Sequence, residues 1–119
     1  MSRTRALIVV AVLVVFFVAG GILLYVTSHK GGQNLTFDVT VTGTTTMTPD
    51  TLQARQNDTI TINITSDTDG EVHLHEYDIA FDTKAGQVVS HTFQADKTCN
   101  CDIEWESTSH SLGALVVSP

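Results

Sequence analysis

Two stretches of this chain, LTFDVTVT at residues 35–42 and TITINIT at residues 59–65, alternate apolar and polar residues without interruption. Leu35, Phe37, Val39 and Val41 in the first, and Ile60, Ile62 and Ile64 in the second, recur with period two, which places every apolar side chain on one face of an extended strand and leaves the other face wet. Further strand-like stretches follow at Leu52 to Arg55, Glu71 to His75, Tyr77 to Phe81, Val88 to Phe93, Cys101 to Glu106 and Leu112 to Val117. Turns rich in Pro, Asp, Asn and Gly separate them: Thr48-Pro49-Asp50, Gln56-Asn57-Asp58, Asp67-Thr68-Asp69-Gly70 and Lys84-Ala85-Gly86-Gln87. Seven or eight short strands at regular spacing, with no helical period, predict an all-β sandwich or barrel.

The first thirty residues are of a different kind. From Ala6 to Val26 the run ALIVVAVLVVFFVAGGILLYV carries no charge; as a helix it would reach ~31 Å, about the thickness of a bilayer core. Arg3 and Arg5 precede it and only Lys30 follows closely, so the positive-inside bias keeps the N-terminus in the cytoplasm and sends the rest across. A cleaved signal peptide is the rival reading. Its apolar core should be shorter and end in a small-residue site, whereas here Gly20-Gly21 is followed by Ile22 to Val26. The expected organisation is therefore a cytoplasmic stub at 1–5, a transmembrane helix at 6–26, a polar tether at 27–34 and a folded domain at 35–119, placed outside in a periplasmic or extracellular space.

Beyond the apolar run stand four basic residues against all 13 acidic ones. A surface of that sign argues against nucleic acid as a partner, keeps an exported domain soluble and attracts cations or basic protein surfaces. No phosphate-binding glycine loop, Ser-His-Asp arrangement or supported pair of carboxylates is present, so no enzymatic activity is expected.

The order of features from Asp58 onward, DTITINITSDTDGEVHLHEYDI, then KAGQVVSHTFQADKT, then DIEWESTSHSLGALVV, resembles the cupredoxin family. That resemblance covers about sixty residues and implies a Greek-key β-sandwich, copper as cofactor, and electron transfer or copper handling as function. Residue by residue it is partial. His73 stands where copper-binding members have their first His, with His75 as a close second, and His110 lies in the loop before the last strand. The place of the ligand Cys is taken by Glu104 or Trp105, and Leu112 stands near that of the axial Met. A blue-copper centre needs a thiolate beside two imidazoles, and this pattern does not assemble one.

The chain's two cysteines, Cys99 and Cys101, form a C-x-C pair at the entrance to the penultimate strand. Three readings stand. The first is a soft metal site, in which two such pairs meeting across a homodimer axis would supply enough thiolates for copper. The second is a disulfide, which a regular strand disfavours because residues i and i+2 lie ~7 Å apart, so that Cys99 would have to sit in the turn. The third is that Cys101 is a small core residue in phase with Ile103 and Trp105.

His73 and His75, at i and i+2 of one strand, point the same way and suit copper or zinc, with His110 or Glu76 completing the set. His91 is in phase with Phe93 and reads as structural. Asn34, Asn57 and Asn63 each open an N-x-T sequon. Two functions follow: a membrane-anchored copper-binding protein using His73, His75 and His110 or Cys99 and Cys101, or a metal-free accessory module of a membrane complex.

Overall fold

The alternating stretches do form strands, and the two faces of each strand decide where it goes. The computed structural model describes residues 31–119; the N-terminal helix expected at 6–26 lies outside them. Among the described residues no helix is long and apolar enough to cross a membrane.

Among the described residues nine strands follow one another: β1 (Asn34–Thr42), β2 (Thr46–Thr48), β3 (Thr51–Arg55), β4 (Thr59–Ser66), β5 (Gly70–Leu74), β6 (Ile79–Thr83), β7 (Val88–Gln94), β8 (Cys99–Trp105) and β9 (His110–Ser118). A short 3-10 turn, Glu106–Thr108, joins the last two. They make a four-stranded sheet in the order β2-β1-β4-β7 and a five-stranded sheet in the order β3-β9-β8-β5-β6. Most neighbours are antiparallel, but β1 runs parallel to β4 and β3 parallel to β9, so the chain changes sheet repeatedly.

Burial follows the period-two pattern. In β4 the isoleucines 60, 62 and 64 are all within 1% of full burial while Thr61 and Asn63 between them stay half-exposed on the other face. They meet Val72, Leu74, Phe81, Cys101, Ile103, Trp105, Leu115 and Val117 from the other sheet in one continuous core, as expected for two layers each apolar on its inner face.

Three local features differ from the sequence reading. Strand β2 is only three residues long, too short for an alternating pattern to mark it, yet Met47 reaches the core from it. Tyr77 lies in a turn rather than in a strand, and β6 begins only at Ile79. Strand β8 begins at Cys99, so both cysteines lie in the strand.

Asp58, wholly buried, accepts hydrogen bonds from the backbone N–H groups of Gln33 (2.9 Å) and Arg55 (2.8 Å). A buried carboxylate is tolerated only with such partners, and this one ties the start of β1 to the β3–β4 turn.

Candidate metal centre

In β5 the side chains of Val72 and Leu74 point into the core, so His73 points outward; in β8 Ile103 and Trp105 are buried, so Glu104 points outward too. The two strands are neighbours with His73 opposite Glu104, and directly opposed residues share a face. His75 follows β5 into the turn, held by its backbone N–H to the carbonyl of Asp102 at 2.9 Å. One donor atom from each of His73, His75 and Glu104 lies within 4.8 Å of the other two. The group sits on the outer face of the five-stranded sheet, and the two imidazoles meet edge to face with centroids 4.6 Å apart.

The contacts of the two rings differ. His73 Nε2 is 2.8 Å from Asp78 Oδ1, a hydrogen bond in which the ring N–H donates to the carboxylate. Its Nδ1 faces Glu106 Oε2 at 3.4 Å. His75 Nε2 is 2.8 Å from Glu104 Oε1. Both His73 Nδ1 and His75 Nε2 are shut off from solvent, and neither has an aligned hydrogen bond. The carboxylates near them are close enough for Coulombic attraction but out of line for donation. The close side-chain contact of His75 with Glu104 first, and then the Coulombic attraction of Glu104, Asp102 and Glu106, raise the His75 pKa above its ordinary 6.5 against the opposing pull of desolvation.

Donors held 2.0–2.2 Å from an ion lie at most ~4.4 Å apart, so the group closes around one with small side-chain rotations. Two imidazoles and a carboxylate, with Glu106 beside them, form a nitrogen and oxygen set of the kind that suits Cu(II) or Zn(II).

The other sequence candidates do not join this group. His110 is exposed and stands opposite Trp105 in the β8–β9 ladder, so it belongs to the core-facing side at the hairpin end while His73 and Glu104 face outward. A register shift after Ile103 sets this phase: Ile103 pairs with Gly113 but Glu104 with Ser111. Glu104 fills the third place expected for His110. Its signal in the sequence is the outward position between Ile103 and Trp105, which the resemblance to copper proteins masks by placing Glu104 where a ligand cysteine would stand.

Cys99 and Cys101 form a disulfide with their Cα atoms 5.3 Å apart, and the described residues hold no free cysteine. In this oxidised state neither is a metal ligand, and no thiolate remains to hold copper between two copies. The bridge forms within β8 because the strand is contracted at its first residues below regular spacing, so Cys99 need not lie in the turn. Cys101 is fully buried, on the face opposite the imidazoles. A blue-copper donor set is therefore not what these residues form. His91 packs its ring edge to face on Phe81 at 4.9 Å.

No protein-family model and no curated protein sequence matches the chain. Solved structures do. A copper binding protein determined in its apo form by NMR superposes with a TM-score of 0.60 at 12% identity, covering 76% of this chain and 92% of that one. A blue copper oxidase from Nitrosomonas europaea gives 0.53 at 15% identity over 73% of this chain, and a multicopper oxidase gives 0.51 at 14% over 72%. The chain matches only 39% of the length of each oxidase. At these identities the likeness concerns architecture alone, and it agrees with the strand order and two-layer core: the described domain has a cupredoxin-like fold.

Proposed function

We propose that this protein is a copper-handling domain that binds one divalent ion through His73, His75 and Glu104 on the outer face of its five-stranded sheet, and that residues 6–26 anchor it to a membrane with that domain outside. One observation carries the reading: His73 and His75 each hold a solvent-shielded imidazole nitrogen without an aligned hydrogen bond, and a donor atom from each converges with a Glu104 carboxylate oxygen within 4.8 Å. A polar surface network without a ligand would satisfy those atoms instead. The copper proteins among its structural neighbours support copper over zinc. The absence of sulfur among the donors favours carriage of the oxidised ion over one-electron shuttling at a thiolate centre.

The protein's own groups do the work of recognition. The imidazoles supply neutral donors, Glu104 supplies the charge that favours a cation, and the acidic surroundings raise the local cation concentration. The bound ion would supply Lewis acidity or a redox couple.

The test is a Cu(II) titration of the full chain in detergent, followed through the single tryptophan, Trp105, which adjoins Glu104 in β8. Saturable quenching at one ion per chain, lost in His73→Ala and His75→Ala, is the expected result. A protein that retains no copper after gel filtration, or retains it equally in both variants, refutes the reading and leaves the metal-free accessory module in its place.

A further inference from the structure

The two histidines of the site are not equivalent, and the difference originates in the β5–β6 turn. Residues His75 to Asp78 connect the two strands, with Leu74 opposite Ile79 closing the hairpin. Glu76 and Asp78 both adopt left-handed backbone conformations, with φ of 69° and 53°, which non-glycine residues adopt only at a cost that the surroundings must offset. Here the surroundings are visible. The Tyr77 hydroxyl donates to the Lys97 carbonyl at 2.7 Å and accepts from the Lys97 N–H at 3.1 Å. The Lys97 ammonium in turn donates to the Glu76 carbonyl at 3.1 Å and lies 5.3 Å over the Tyr77 ring. The tyrosine ring also rests against Phe93 of the other sheet, with centroids 5.0 Å apart. The turn is thus fastened from outside itself.

What the fastened turn delivers is the Asp78 carboxylate to His73 Nε2. Asp78 is 92% exposed, and a free surface carboxylate would gain little from holding one rotamer against an imidazole. With its backbone already fixed, the cost of ordering is smaller and the bond is made at 2.8 Å. The proton on His73 then resides on Nε2, and Nδ1, the solvent-shielded atom beside Glu106, keeps its lone pair. Ligating histidines are generally oriented in this manner, by an acceptor on the nitrogen that does not bind. In His75 the arrangement is reversed, since Nε2 is the shielded nitrogen next to Glu104.

We infer that Asp78 is a positioning residue which directs His73 to bind the metal through Nδ1 while His75 binds through Nε2. The inference rests on the metal reading given under the proposed function and specifies how that site is set.

The experiment uses the full chain in detergent, labelled with nitrogen-15 at histidine, titrated with Zn(II) as a diamagnetic probe. The expected result is metal-induced shifts at His73 Nδ1 and His75 Nε2, and a hydrogen-bonded His73 Nε2 proton that is already present before metal is added. Asp78→Ala should weaken Zn(II) binding about 10- to 100-fold, whereas Asp78→Asn, whose side-chain oxygen still accepts from Nε2, should recover most of the loss. Far-ultraviolet circular dichroism of both variants should match the wild type, which separates positioning from unfolding. Binding through His73 Nε2, or an Asp78→Ala affinity within about twofold of wild type, overturns this inference while leaving the metal site standing. An asparagine variant no better than alanine overturns it equally. Failure of the wild-type chain to bind Zn(II) or Cu(II) at all overturns both.

Discussion

Removing Glu104 separates a metal site from a surface ion-pair network. Its side chain is 15% exposed and touches His75, so Glu104→Ala should change the stability of the metal-free protein by no more than about 1 kcal/mol. With metal the expectation is different. An ion that binds only the folded state at a concentration one hundred times its Kd stabilises by about 2.7 kcal/mol. For a domain of this size that raises Tm by roughly 10–20 °C. Loss of a direct ligand should raise Kd by at least the ~100-fold upper range known for outer-sphere partners. At the same metal concentration the variant is then no better than half saturated, and the stabilisation falls to about 0.4 kcal/mol, a rise of roughly 2–3 °C. Circular dichroism melts of both full-length proteins, with Cu(II) and with chelator, provide the four numbers. Asp38→Asn serves as control, because Asp38 accepts from Asn63 at 2.9 Å within the four-stranded sheet, away from the metal-site strands. A wild-type Tm that ignores copper, or a Glu104→Ala protein that gains as much as the wild type, refutes the reasoning.

Three further outcomes are expected. Because Glu104 raises the His75 pKa above 6.5, their pairing adds its full stabilisation of the metal-free protein below pH 6.5 and loses it as pH rises through the folded-state value; an NMR titration of His75 should show the shift vanish in Glu104→Gln. Reduction of the Cys99–Cys101 bridge opens a loop of only three residues, so urea unfolding should register a loss of about 1.6 kcal/mol by loop entropy, with copper affinity unchanged. Gly113→Ala would drive its Cβ into the Asp50 carbonyl oxygen and to 2.7 Å from Met47 Cε; since backbone cannot step aside, chemical denaturation should show a loss of about 1–3 kcal/mol.

How much of this was legible in the sequence depends on what each feature rests on. Strand positions rest on period two, a local property, and Ile60, Ile62 and Ile64 announce theirs plainly. The parallel pairing of β1 with β4 and of β3 with β9 rests on which surfaces meet at a distance, and no residue of either strand encodes it alone. Tyr77 illustrates the opposite error. It continues an apparent alternation with Ile79 and Phe81, yet its hydroxyl is claimed by Lys97 twenty residues away, and the chain turns there instead. At the candidate site, the outward phase of His73 could be read from Val72 and Leu74. That Glu104, not His110, would face it depended on the register shift after Ile103, which moves the final strand by one residue and so exchanges its two faces.

The place of β9 in its sheet has a consequence for how the chain comes to be folded at all. This strand, the last of the described domain in chain order, lies between β3 and β8, so until it emerges the five-stranded layer is two fragments with open edges. Ribosomal delivery runs from the N-terminus, and the facing edges of β3 and β8 must wait, unpaired, for β9. The domain gains its stability in one late step, when β9 has emerged, and a domain truncated within β9 should behave as an aggregating chain rather than as a slightly weakened one.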